Sequence, residues 1–246
     1  MKRLLAAMLL SGMAPAGMAQ GSFPAIPVAG AAAGTFVPEG WKLIARAEGD
    51  LNKDGAADLA IIIENTDLRH YKVHDGPGRD TLNLNPRMLL VLFRDKEAGL
   101  YRLAEKNTAF IPKPNDGERP CLADPLAETE KLTIRKGVLA LHFQYWYSCG
   151  SWYTSNHHYL FRHQHGGFEL IGFDCDEFHR ATGERSRYSV NFSTGRYSHT
   201  TGENEFEDTG KMPETAWGTL KAPRRLALRQ MDGRSFESIY KMIGIM

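Results

Sequence analysis

The stretch LTIRKGVLALHFQYWY, from Leu132 to Tyr147, decides the fold class. Leu132 to Ile134 and Val138 to Tyr147 flank the turn-forming pair Lys136-Gly137, so the stretch reads as a β-hairpin. In its second arm Leu139, Leu141, Phe143, Tyr145 and Tyr147 fall on one apolar face, with His142, Gln144 and Trp146 on the other. That period of two is the signature of a strand with one face against a core. Downstream, Trp152 to Phe161 and Phe168 to Phe173 bracket Gly166-Gly167 as a second hairpin. Tyr188 to Phe192 and Tyr197 to Thr200 bracket Ser193, Thr194 and Gly195 as a third. Upstream, Trp41 to Ala47 alternates, while Leu59 to Ile63 and Met88 to Phe93 are continuous apolar runs closed by turn residues such as Asn85, Pro86 and Asp95. Helical periodicity is confined to Ser235 to Ile243. The expected fold is therefore mainly β: an antiparallel meander or sandwich, or incomplete propeller-like sheets, with a short C-terminal helix.

The chain of 246 residues opens Met1-Lys2-Arg3, continues with an apolar run from Leu4 to Met13, and reaches small residues up to Ala19. A charged start, a short apolar run and a small-residue exit predict a secretory signal peptide over residues 1–19, cleaved after Ala19, and export to a bacterial periplasm. The run is too short for a permanent membrane span, and no cysteine stands at the junction to carry a lipid. Residues 20–38, rich in Gly, Ala and Pro without periodicity, read as a flexible lead-in. Residues 39–246 read as one mostly β domain. Lys and Arg number 30 against 29 Asp and Glu, so the protein is close to neutral once the leader is lost. Nucleic acid is excluded as the expected partner, and the late basic residues Lys221, Arg224, Arg225 and Arg229 read as a solvated edge. Three cysteines in an oxidising compartment imply one disulfide and one spare thiol, with Cys121–Cys149 the favoured pair because it would staple a Pro-rich loop to a turn of the sheet.

The segment Asp50-Leu51-Asn52-Lys53-Asp54-Gly55-Ala56-Ala57-Asp58 puts oxygen-bearing side chains at loop positions 1, 3, 5 and 9 and glycine at position 6. Such spacing wraps a backbone round a hard cation, and the Ala56 carbonyl at position 7 supplies a further oxygen. Position 12 is Ile61, where a helix-loop-helix calcium hand needs a bidentate Glu, and Leu59 to Ile63 favours a strand. Asp50, Asn52, Asp54, Ala56 and Asp58 are thus the expected ligands of a structural calcium ion in a loop between strands. The competing reading is a solvated turn, since Asp, Asn and Gly are ordinary turn residues.

On these residues the loop resembles the calcium loops of FG-GAP and VCBS-type repeats, in which D-x-[DN]-x-D-G-x-x-D leads into an apolar strand. The resemblance covers Gly49 to Ile63 closely and the strand Leu89 to Phe93 with its Arg94-Asp95-Lys96-Glu97 turn more loosely. It implies calcium chemistry and a blade-like sheet. Only one full copy is present, fewer than a closed propeller needs. The wider layout also resembles small uncharacterised periplasmic families of bacteria, which implies no reaction.

Trp146, Trp152 and Tyr153 are the expected ligand-binding residues of an aromatic-rich region that also holds Tyr145, Tyr147 and Tyr159. His157, His158, His163 and His165 could gather round a transition metal, although His163 to Gly167 reads as a turn. Asp174, Asp176, Glu177 and His179 follow a strand end where acid and base groups could cooperate. The sequence shows no G-x-S-x-G elbow, phosphate loop, H-E-x-x-H or dinucleotide fingerprint. The leading expectation is a non-enzymatic periplasmic binding or interaction protein, with an unidentified protein or glycan partner and a calcium-fastened fold. The alternatives are a cell-envelope glycan or peptidoglycan hydrolase, or an inhibitor or immunity protein of an envelope enzyme.

Overall fold

The two continuous apolar runs are central strands of one sheet, buried on both faces. In the computed structural model, which describes residues 23–127, 130–207 and 212–245, Leu59–Ile63 and Met88–Leu92 are all at most 1 % exposed. Leu59, Ile61, Ile63, Met88, Leu90 and Leu92 face one apolar cluster; Ala60, Ile62, Leu89 and Val91 face another. Double burial explains why neither run alternates. The leader expected over residues 1–19 lies outside the described residues.

Among the described residues fourteen strands form, β1 (Ala29–Gly30), β2 (Trp41–Gly49), β3 (Asp58–Asn65), β4 (Tyr71–Val73), β5 (Thr81–Asn83), β6 (Arg87–Asp95), β7 (Leu100–Asn107), β8 (Leu132–Arg135), β9 (Val138–Tyr145), β10 (Tyr153–Gln164), β11 (Gly167–His179), β12 (Glu184–Asn191), β13 (Arg196–Asn204) and β14 (Glu214–Thr219), followed by helix α1 (Ser235–Ile243). The smaller sheet has the order β1-β7-β6-β3-β2, and the larger is an uninterrupted meander, β14 to β8 in reverse chain order. Strands β4 and β5 pair as a separate ribbon in the excursion between β3 and β6. Pairing is antiparallel throughout, so the sheets are the mainly β, antiparallel arrangement that the hairpin pattern predicts. No described helix is long and apolar enough to cross a membrane.

The small sheet packs through Ala60, Ile62, Leu89 and Val91 on the apolar face of the large one, where Leu139, Leu141, Phe143, Tyr159, Phe161, Phe168 and Phe173 are buried. Its other face is covered by the segment before β2. That segment was expected to be a flexible lead-in, but from Phe23 onward it is packed: β1 pairs with β7, and a 3-10 turn over Ala33–Phe36 buries Phe36 completely. The physical reason is the second apolar face of β3 and β6, which would otherwise meet water.

A buried ion network ties the small sheet to the connection between β7 and β8. Arg87 bonds Glu64 at 2.8 Å, bonds both oxygens of Asp124 at 2.7 and 2.6 Å, and donates to the Pro112 carbonyl at 3.0 Å. Lys42 reaches Glu64 from the surface at 2.9 Å. Burial opposes the Arg87 charge, but the Asp124 and Glu64 carboxylates hold its pKa above the ordinary arginine value. Removing one partner leaves the others charged and out of water. Arg87→Met is therefore expected to cost about 3–5 kcal/mol in urea unfolding, whereas Arg135→Ala, which breaks the exposed Arg135–Glu130 pair, leaves the midpoint unchanged.

Candidate functional site

Along the strands β9 to β12 the inner face of the large sheet runs on beyond its cover. Cross-strand register sets residues there in rows. Leu141, Tyr159, Phe173 and Val190 form a row inside the core; Phe143, His157, Cys175, Tyr188 and His199 form the next; Tyr145, Ser155, Glu177 and Ser186 form the third. Polarity rises from row to row as the cover is left behind. Tyr145, Ser155 and Glu177 of the third row floor a cleft of about 650 Å³.

Tyr145, Tyr147, Tyr153, Phe236 and Tyr240 supply its rings, and residues 112–119 supply the opposite wall. Phe236 and Tyr240 stand one helical turn apart on α1, with ring centroids 5.9 Å apart. The wall is fastened at several points. Arg87 holds Pro112 and Asp124, the Asn115 side chain accepts from the Asn83 N–H at 2.8 Å, and Cys121 is bridged to Cys149 with the Cα atoms 5.4 Å apart. Arg180 then clamps the turn before β10, donating to the carbonyls of Tyr147 at 2.7 Å and Ser151 at 2.6 Å. A ligand would meet walls already in place.

His157 is buried behind the floor. Its Nε2 lies 3.2 Å from Ser155 Oγ and its Nδ1 3.5 Å from Tyr159 Oη. Burial, with the His142 and His158 charges adding to it, lowers its pKa to about 4, so the ring is neutral at pH 7. Burial likewise pushes the Tyr145 hydroxyl up to about 12 and raises Tyr240 further. Glu177, half-buried on the floor, is also raised by burial. Cys175, the free thiol, is pushed up to about 12 by burial and lies 3.3 Å from Tyr240 Oη, which makes it an unreactive part of the core.

Of the three aromatic residues expected to bind ligand, only Tyr153 lines the cleft. Trp146 falls on the opposite face of its strand from Tyr145 and lies under Arg180 at 5.2 Å, while Trp152 is exposed on the turn. Tyr145 and Tyr147, read from alternation as core, are cleft walls, because the apolar face outlasts its cover. The contribution of α1 is a pairing across the whole chain, whose one sequence signal is the i, i+4 spacing of Phe236 and Tyr240.

The expected acid–base cluster is split. Glu177 and His179 share the inner face, with His179 4.6 Å from Tyr153, whereas Asp176 is on the outer face in a 2.8 Å bond to Arg185. The parity of β11 puts Asp174 beside Asp176 on that outer face. The histidines are separated too. His157 is buried, His158 stacks on His142 at 4.0 Å on the outer face, His163 packs against Phe93 and Phe168, and His165 bonds Glu169 at 3.2 Å. Among the described residues no group of three or more His, Cys, Asp or Glu is gathered closely enough to hold an ion.

The acidic loop joins β2 to β3 at the far end of β9. Gly49 packs so close to Ile134 that a Cβ there would meet it at 2.6 Å, and Asp50 borders the Gly137 turn. Lys53 and Gly55 take φ of 66° and 77°, turning the chain sharply so that its N–H groups point inward. Asp50 accepts from Lys53 and Gly55 at 2.6 and 2.9 Å, and Asp54 accepts from Ala56 at 2.7 Å and from the Asn52 amide at 2.8 Å. Asp58 is completely buried and accepts from Leu51 and Arg94, each at 2.8 Å, and from Asn52 at 3.4 Å. Exposed Asp54 and half-buried Asp50 and Asn52 have lone pairs left for an oxygen-seeking cation; Asp58 is buried, its carboxylate accepting from three backbone N–H groups. Asp50, Asn52 and Asp54 are oxygen donors of the kind calcium takes, and Asp58 also holds the loop by its bonds to the backbone.

Comparison with protein-family models, with curated proteins and with solved structures found no match.

His157 gives the site a pH dependence. Its folded pKa lies below the unfolded value near 6.5, so its contribution is complete above that value and is lost as pH falls toward 4. Stability is expected to drop by about 3 kcal/mol across that window, measured by urea unfolding at stepped pH. His157→Gln should flatten the profile there.

Proposed function

We propose that the chain is an exported binding protein whose cleft receives a small ligand or the end of a longer one. The observation that carries this reading is the cleft itself: a fastened hollow of about 650 Å³ with five aromatic rings and a few polar groups on its floor. Rings give apolar area with polar edges, which suits sugars and peptide side chains alike. The division of the acids between two faces of β11 weighs against the envelope hydrolase built on them. Export rests on the leader pattern, and the periplasm is the compartment it proposes.

The Asp50 loop is the proposed calcium site, with a structural role. It lies at the opposite end of β9 from Tyr145, about 20 Å away along the strand. Calcium there would fasten the corner between the sheets and take no part in ligand recognition.

Two measurements test the proposal. A thermal-shift screen of envelope-type small molecules should find compounds that stabilise the native protein and do nothing for Ser155→Phe, which fills the cleft floor. Compounds acting equally on both would contradict the cleft. For the loop, a dissociation constant of roughly 0.1–1 mM corresponds to about 1 kcal/mol at 2 mM calcium, or a rise of about 2–4 °C over chelator. That rise should vanish in Asp54→Ala. Asp58→Ala should instead lose roughly 2–4 kcal/mol even in chelator, because three backbone N–H groups lose their acceptor. An unchanged melting temperature with no heat of calcium binding would remove the metal from the account.

A further inference from the structure

Glu177 is the carboxylate of the large sheet that lines the cleft. Asp176, its neighbour in sequence, bonds Arg185 at 2.8 Å and lies 3.7 Å from Arg187. Glu203 pairs with Arg187, Glu205 pairs with Arg185, and Glu169 bonds Gln164 at 2.7 Å and His165 at 3.2 Å. Among the described residues Glu177 has no ion pair and no hydrogen-bonded side chain; the one charge acting on it is that of His179. Its cross-strand neighbours are Ser155 and Ser186, and it shares the cleft with Tyr145, Tyr147, Tyr153, Phe236 and Tyr240.

A carboxylate half out of water without a cation is a cost that native proteins ordinarily avoid, and the ion pairs of Asp176, Glu203 and Glu205 show the rule at work in this sheet. A cationic group entering the cleft would relieve that cost and also meet the negative faces of the rings. We propose that the cleft selects ligands bearing a protonated amine or quaternary ammonium group, with Glu177 as counter-ion and the surrounding rings as the cage. This rests on the reading of the cleft as the ligand site.

The cleft's own cations do not fill that role. Arg119 is bonded to Asp116 at 2.7 Å and to the Tyr147 hydroxyl at 3.3 Å, and Lys113 is exposed at the rim with Glu118. The other titratable groups facing the floor carry no charge at pH 7: His157, Tyr145, Tyr240 and Cys175 are all held neutral by burial. His179, beside Tyr153, would compete with a ligand only when protonated.

A lysine side chain, an amino sugar and a polyamine share the required chemistry, so the test uses one probe from each source. Nα-acetyl-lysine amide, glucosamine and spermidine are titrated calorimetrically into the full chain, against the neutral partners Nα-acetyl-norleucine amide and N-acetylglucosamine. At least one cationic probe should bind saturably and at least tenfold more tightly than its neutral partner. Glu177→Gln, which preserves shape, should weaken that probe tenfold or more and leave the neutral partner unaffected. Tyr153→Leu, at an exposed position, should weaken it threefold or more. Neutral probes binding as well as cationic ones, or cation binding retained in Glu177→Gln, would overturn the charge selection while leaving the cleft as a ligand site. No saturable binding of any probe, charged or neutral, up to 10 mM would overturn both.

Discussion

The incomplete cover of the large sheet's inner face is the constraint on which the rest depends. Along β9 to β12 that face runs past the small sheet, and the uncovered part must meet either water or another element. Helix α1 takes some of it, burying Ile239, Met242 and Ile243 in the common core. What remains is graded by row from Phe173 through Cys175 to Glu177, and the last of these rows is the cleft floor. Position and polarity of the site thus follow from register and from where the cover ends along the strands, before any side chain is considered for its chemistry.

The cleft is held open by fasteners that lie outside it. Asn107 donates to the carbonyls of Leu228 at 2.6 Å and Met231 at 2.9 Å, anchoring the chain just before α1. The Arg87 network and the Cys121–Cys149 bridge hold the opposite wall at both ends. Each converts a long connection, which alone would lose much conformational entropy on ordering, into a fixed surface. The acidic loop performs the same service at the other end of β9, where Asp58 gathers backbone N–H groups from β6 and from the loop itself.

Much of the architecture was legible because it rests on local pattern. The hairpin arms around Lys136-Gly137, Gly166-Gly167 and Ser193-Thr194-Gly195 are β8–β9, β10–β11 and β12–β13, and Ser235 to Ile243 is the helix. Alternation also sorted Leu139, Leu141 and Phe143 into the core. It put Tyr145 and Tyr147 on the same face correctly without showing that they line a cleft, because periodicity reports which face a residue is on and does not report where the opposing sheet stops. The packing of Phe36 was hidden in a segment without period, since its burial depends on the second face of β3 and β6. Glu177 was singled out with Asp174, Asp176 and His179 as an acidic group. That Asp176 is paired while Glu177 is not is a property of Arg185 and Arg187 on the next strand, which spacing along one strand cannot reveal.

The central claim is that Glu177 is an unpaired carboxylate in a pre-formed aromatic cleft. It is tested most directly by a carbon-13 NMR titration of the side-chain carboxyl of Glu177. The account predicts a midpoint above the ordinary glutamate value, because burial without a cation disfavours the charged form. A midpoint at or below that value would mean that the group is solvated or already paired, and would contradict the account.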